Sequence, residues 1–305
     1  MKVAVTGANG LLGGEAVALL AGRHEVLAIG RGPNRLPPGR YRYADSDLGD
    51  GGSVESALVA FAAERVLHAG AMTDVDACER EPARAWAVNV GGSEQVARAC
   101  RTLGARLVAV STDYVFDGTS GPYAEEDLPN PRGAYARTKR VGEEAALVLV
   151  PDAAVARVAV VYSGRPGAKP TFATQVVEKL GRGEEVRAFS DQYVSTTLAR
   201  NAAEMTLELL LEHGFRGVLH TSGSTVVDRV EFARRVAARF GLTGTITPVK
   251  TADVKLPAPR PLRGGLRVDR AAALLRAKPL DLAAQLDAFH AEWMGRAPDS
   301  RPVER

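Results

Sequence analysis

Short apolar runs alternate with longer amphipathic ones through the first half of the chain, and few folds accept that order. "KVAVTG" reads as a strand and "LLGGEAVALLAG" as a helix. "EVLAIG" is a second strand, "SVESALVAFAAE" a helix and "RVLHAG" a third strand. "PARAWAVNVGGSEQVARACRTLG" reads as one helix with Pro82 in its first turn, and "RLVAVS" as the fourth strand. This alternation predicts a doubly wound α/β fold, a parallel sheet with helices on both faces. After Asp152, "AAVARVAVVY" reads as another strand, followed by helical runs near 172–181, 198–213, 228–240 and 269–275. A soft boundary near residue 160 divides a dinucleotide-binding part, 1–160, from a smaller α/β part, 161–305. The second part is mainly substrate-binding, and some of its segments are expected to return to the first.

The link from first strand to first helix carries the clearest chemical signal. "TGANGLLGG" spaces Gly7, Gly10 and Gly13 as GxxGxxG. Glycines there permit a tight turn and a close approach of backbone to a pyrophosphate, and the helix N-terminus offers unpaired N–H groups and a positive dipole end. The context is that of a Rossmann nucleotide fold, although the spacing differs from GxGxxG. The second strand ends in "AIGRG", so Arg31 stands where an acid would take the ribose hydroxyls. A guanidinium suits a 2′-phosphate, which favours NADP and leaves NAD open. Asp47 and Leu48 precede the second predicted helix. Asp47 is an acceptor for the adenine amino group, or a helix-capping residue.

"GAYARTKR" places Tyr135 and Lys139 four apart, on one face of a helix. A phenol with a pKa near ~10 is a poor proton donor at neutral pH. An ammonium about 4 Å away contributes roughly 4 kcal/mol at an effective dielectric of ~20, enough to lower that pKa by about three units, while burial opposes it. "STDYVFDG" follows the fourth strand and so lies at the carboxyl edge of the sheet, where ligands of such folds bind. Ser111 or Thr112 can there align a substrate carbonyl. A glycine loop, a hydroxyl and a Tyr–Lys pair in this order point to a carbonyl reductase using a nicotinamide.

Bulk composition agrees with a small-molecule enzyme. The 305 residues are 46% hydrophobic and 25% charged, with a net charge of +3 spread along the chain. That charge does not favour nucleic acid and suits an anionic small ligand. Cys78 and Cys100 lack metal-site spacing and read as reduced thiols. No signal peptide or membrane span is apparent, so a cytoplasmic location is expected.

"TGANGLLG", "STDYVFDG" and "YARTK" together resemble the extended short-chain dehydrogenase/reductases, and more closely the dTDP-4-dehydrorhamnose reductase family. "HAGAMTDVDACEREPARAWAVNV", "SDQYVSTT", "RVEFARRVA" and "APRPLRGGL" extend the likeness to about residue 285. The resemblance implies a triad of Thr112, Tyr135 and Lys139. It puts Gly7, Gly10, Leu11, Leu12 and Gly13 on the pyrophosphate, and Ala69, Gly70 and Ala71 beside the cofactor. It brings Thr73, Val75, Asp76 and Tyr114 toward a nucleotide-sugar substrate. A homodimer is a family expectation, and Glu15 falls where some members hold a magnesium ion between subunits. No partner carboxylates are identifiable, so no metal is assigned. Two departures lie on the substrate side: Val160 replaces a usual tryptophan, and "DQYVSTT" lacks the family's proline.

The resulting expectation is an NADP-preferring reductase of a nucleotide-activated 4-keto-6-deoxysugar. The alternatives are a sugar-nucleotide epimerase or dehydratase, and a non-catalytic NADP-binding subunit similar to the regulatory subunit of methionine adenosyltransferase. Arg260 and Arg263 are candidates for a diphosphate clamp or a solvated loop. Asp191 and Gln192 face the substrate or end a strand. His68 reads as a satisfied buried histidine or a cofactor contact, Asn89 as an orienting or simply buried amide, and Trp86 and Trp293 as packing residues.

Overall fold

The computed structural model describes residues 1–295, so the last ten residues of the expected second part lie outside the described residues. Its first half contains strands β1 (Lys2–Thr6), β2 (Glu25–Gly30), β3 (Arg42–Asp45), β4 (Arg65–His68), β5 (Arg106–Thr112) and β6 (Ala154–Val158). Helices α1 (Leu11–Leu20), α2 (Ser53–Phe61), α3 (Val75–Arg80), α4 (Pro82–Trp86), α5 (Gly92–Leu103) and α6 (Ala134–Leu149) lie between them. The second half adds short strands β7 (Val161–Tyr162), β8 (Val186–Phe189), β9 (Tyr193–Ser195), β10 (Thr197–Leu198), β11 (Gly217–His220), β12 (Val226–Asp228) and β13 (Ile246–Val249). It also holds α7 (Phe172–Gly181), α8 (Ala199–Leu211), α9 (Arg229–Arg239), α10 (Asp269–Leu274) and α11 (Leu282–Met294).

Seven strands form one parallel sheet in the order β11-β6-β5-β4-β1-β2-β3. The inner strands are apolar without alternation because both faces are covered. Val3 and Val5 enter one core layer with α1 and α8, while Ala4 enters the other with α2 and α5. The chain winds outward from β1 in both directions, which opens a crevice at the carboxyl ends of β1 and β4. The chain past residue 160 is not separate from this sheet: β11 pairs with β6, and α8 packs on α1. A third core around Tyr162, Phe232 and Phe289 holds the smaller α/β region, with ring centroids 5.4 and 5.3 Å from Tyr162.

Several elements differ from the sequence reading. β3 is additional, so the strands read as third and fourth are β4 and β5. As "RYAD" it has exposed ends and no buried face, and it closes an edge of the sheet. The helix read over 82–104 is interrupted by a π-helical turn at Ala87–Gly91. The strand read over 153–162 breaks between β6 and β7, where Val160 adopts φ +40°, an uncommon conformation for a β-branched residue. Trp86 is 52% exposed rather than packed, whereas Trp293 packs edge-on against Phe240 and Phe289.

Candidate active site

The glycine turn is built by steric necessity at two positions. Gly7 has φ +69°, and a Cβ there would lie 2.6 Å from Gly70 Cα; a Cβ on Gly13 would lie 2.3 Å from Gly7 O. The turn and the β4 end segment Ala69–Ala71 therefore press together at the crevice. α1 starts at Leu11–Leu12 from Gly10, with no side-chain cap and no acid in its first turn. Its first N–H groups are left for an anion, and such a terminus fits a pyrophosphate. Leu48 closes the next wall: Cβ atoms on Gly70 and Gly92 would collide with it at 2.6 and 2.7 Å.

At the end of β2, Arg31 is 62% exposed on its side chain and lies 3.6 Å from Asp47. Asn9 donates to the carbonyls of Arg31 and Pro33, and the Gly32 N–H donates to Asp45, so the segment carrying the guanidinium is held by the sheet edge. Asp47 also accepts from the Gly49 N–H at 2.9 Å, a turn contact and not a helix cap.

Thr112 ends β5, and Tyr135 and Lys139 lie on the buried face of α6 beside it. The Thr112 hydroxyl acts on the Tyr135 phenol and favours its ionised form. Tyr114 meets Tyr135 edge-on at 5.7 Å. Lys139 donates to the Val110 carbonyl at 2.8 Å. Here the expected electrostatics is corrected. Burial raises the Tyr135 phenol above its ordinary range, Thr112 only partly offsets this, and the charge of Asp113 adds to it. Burial draws the Lys139 ammonium down to about 8. Spacing places the two on one face, and burial opposes the charged form of each.

A buried framework orients the site from below. Glu143, one turn after Lys139, receives Arg157 of β6 through both oxygens at 2.8 and 2.9 Å. The Thr6 hydroxyl and His68 Nδ1 are 2.7 Å apart, and His68 Nε2 is 3.1 Å from Ser93 Oγ. Burial, then the charge of Lys139, holds His68 down to about 3, so it is a neutral framework residue. Asn89 in the π-helical turn accepts from the Met72 N–H and donates to Thr138 Oγ1, joining the β4 loop to α6.

On the substrate side, Asp76 is engaged by Arg260 at 2.7 Å and by the Ala258 N–H at 3.1 Å. Arg260 is therefore neither a solvated loop residue nor a ready diphosphate clamp in this arrangement. It locks the loop 258–266 onto α3, beside Val75 and Tyr114. Thr73 is exposed at the loop before α3. Asp191 accepts from the backbone and hydroxyl of Thr251, and Gln192 donates to the same hydroxyl; both serve the turn at Thr251–Asp253.

The Glu15 carboxylate meets Arg165 at 2.9 Å, and Gly14 makes room, since a Cβ there would lie 2.3 Å from the guanidinium. Among the described residues no three His, Cys, Asp or Glu side chains gather where one ion could bind. Sequence reasoning also passed over Asp113 and Glu143. Asp113 lay inside the quoted "STDYVFDG", and Glu143 stands at i+4 from Lys139, a spacing that signals a shared helix face.

Comparison with known proteins agrees with this architecture. A dTDP-4-dehydrorhamnose reductase of Mycobacterium tuberculosis is 38% identical over 85% of this chain and 82% of its own. Methionine adenosyltransferase 2 subunit beta of Bos taurus is 30% identical over 88% of this chain and 81% of its own. The structure of a hypothetical dTDP-4-dehydrorhamnose reductase from Sulfolobus tokodaii superimposes with TM-score 0.83 at 34% identity, covering 93% of this chain and 98% of that one. A fold-level match at 24% identity and TM-score 0.85 is the dTDP-4-dehydrorhamnose reductase of Bacillus anthracis in complex with NADP, covering 95% and 99%. The family model described as RmlD substrate binding domain matches residues 1–294, and this chain belongs to that family.

Proposed function

We propose that the chain is an NADP-preferring reductase acting on the C4 ketone of a nucleotide-activated 4-keto-6-deoxysugar, of the dTDP-4-dehydrorhamnose type. The observation that carries this reading is the convergence of Thr112, Tyr135 and Lys139 at the carboxyl edge of the sheet that bears the uncapped start of α1. Reduced nicotinamide, when bound, supplies the hydride. Gly7, Gly10, Leu11, Leu12 and Gly13 cradle the pyrophosphate, with Ala69, Gly70 and Ala71 alongside. Arg31 takes the 2′-phosphate, and Asp47 and Leu48 line the adenine side.

Tyr135 gives a proton to the ketone oxygen, and Thr112 holds that oxygen in line. Lys139, charged below its pKa of about 8, supplies the positive field that favours the developing alkoxide. It bonds the nicotinamide ribose if it leaves the Val110 carbonyl. Thr73, Val75 and Tyr114 form the sugar side, and Asp76 acts there through its hold on Arg260. A cytoplasmic homodimer is in keeping with the family and with the free thiols of Cys78 and Cys100. Among the described residues no helix is long and apolar enough to cross a membrane.

The test mixes purified chain with NADPH and dTDP-4-keto-6-deoxysugars and follows reduced-nicotinamide absorbance. Its fall, with a reduced sugar nucleotide as product, supports the reductase. A second reading, a nucleotide-holding subunit without turnover, is favoured by Val160 at the sugar wall and by the methionine adenosyltransferase relative. Tight NADPH binding with no oxidation for any such sugar would select it.

A further inference from the structure

Asp113, the residue after Thr112, carries an atom that the reductase reading leaves unused. Its Oδ1 accepts the Thr112 hydroxyl at 3.1 Å. Its Oδ2 is buried and has no hydrogen-bond partner among the described residues. The groups that face it are Tyr135 from α6, Tyr114 from its own turn and Arg229 from α9. Gly264 covers it with backbone; a Cβ there would lie 3.7 Å from Oδ2. Arg229 attracts it only at a distance, since that guanidinium sits over the Phe172 ring at 5.7 Å. A carboxyl so enclosed holds its proton unusually well: burial moves it up to about 6, against hydrogen bonds that pull down.

Asp113 and Thr112 are thus hydrogen-bonded, and the Tyr135 phenol, on which the Thr112 hydroxyl acts, extends them into one row. Each hydroxyl has a single proton, while an ionised carboxylate only accepts. Thr112 Oγ1 already accepts the Tyr114 N–H at 3.2 Å. With Asp113 ionised, Thr112 donates to it, the phenol donates to Thr112, and both protons point away from a ketone. With Asp113 protonated, it donates to Thr112, and the protons of Thr112 and Tyr135 are released toward the ketone oxygen.

We propose that Asp113 is a positioning residue whose proton sets the direction of this row, readying the site for ketone reduction when present and for alcohol oxidation when absent. The proposal rests on the reductase reading. Its proton balance closes. During reduction the reduced nicotinamide dinucleotide gives a hydride to the carbonyl carbon and Tyr135 gives its proton to the oxygen. Thr112 then reprotonates Tyr135, Asp113 reprotonates Thr112, and a carboxylate remains that recovers a proton from water. Oxidation runs the same O–H exchanges backward, with the oxidised dinucleotide accepting the hydride.

The test measures kcat/KM against pH for NADPH-dependent reduction and NADP-dependent oxidation, in wild type and Asp113→Asn, which cannot ionise. In wild type, reduction should fall about tenfold per pH unit above a break near 6, and oxidation should rise through the same break. In Asp113→Asn, reduction should stay level up to the next titrating group, Lys139, near 8. A variant that turns over with its break still near 6, or with both rates lowered by one factor at every pH, overturns the proposal alone. Absence of turnover in wild type with every keto sugar overturns the reductase reading and this proposal with it.

Discussion

Glu143→Gln is the substitution whose cost the structure fixes best. Glu143 and Arg157 are 1% and 2% exposed on their side chains and share two hydrogen bonds, with Arg140 adding a third contact to Glu143 at 3.0 Å. Burial pushes the Glu143 carboxyl up, but the bonds and charge of Arg157 outweigh it and leave it below its ordinary range. Removing the negative charge strands Arg157 against the Phe116 ring at 5.0 Å. An uncompensated buried ion of this kind costs about 3–5 kcal/mol, roughly 5–8 °C in Tm for a chain of this size. Replacing both partners, as Glu143→Leu with Arg157→Met, removes the stranded charge and should recover most of that loss. Denaturant and thermal melts of the three proteins check this. The sign in pH follows from the depressed carboxyl. Its contribution is present above the unfolded value near 4.5 and is lost as pH falls through the lower folded value, so the wild-type advantage over Glu143→Gln should shrink in acid. A loss under about 1 kcal/mol, or a double variant no better than the single, would refute the reasoning.

Three further outcomes are expected. Lys139→Met should abolish turnover yet melt higher near neutral pH. A folded pKa of about 8 against 10.5 represents up to ~3 kcal/mol, less ~1 kcal/mol for the lost bond to Val110. Because that pKa is depressed, the penalty is full below 8 and vanishes above 10.5, so melts at rising pH should show the two proteins converge. Arg31→Asp should weaken NADPH relative to NADH by at least about tenfold in titrations of binding, since Asp47 would then face a second carboxylate. Gly14→Val should lose several degrees in Tm, because its side chain would displace Arg165 from Glu15.

What could be read from the sequence was set by local patterning. The first strand, turn and helix fall where "KVAVTG" and "LLGGEAVALL" place them, and α7 spans Phe172–Gly181 as its periodicity indicates. β3 escaped because an exposed edge strand needs no apolar alternation. α11 was legible and overlooked: Asp281 caps it, and Leu282, Leu286, Phe289 and Trp293 follow at helical spacing. The Arg260–Asp76 bond joins residues 184 apart, so no local signal announces it. The Tyr135–Lys139 pair shows the same limit within one helix turn. Spacing gives neighbours, but the direction of the phenol's pKa depends on how much water the finished fold leaves around it.

The most direct test of the central claim, that Tyr135 is the proton donor beside a bound nicotinamide, is Tyr135→Phe. NADPH affinity by titration should be retained, and reduction of the dTDP-4-keto sugar should fall at least about a hundredfold. Wild-type rates in that variant, with NADPH bound as before, would contradict the account.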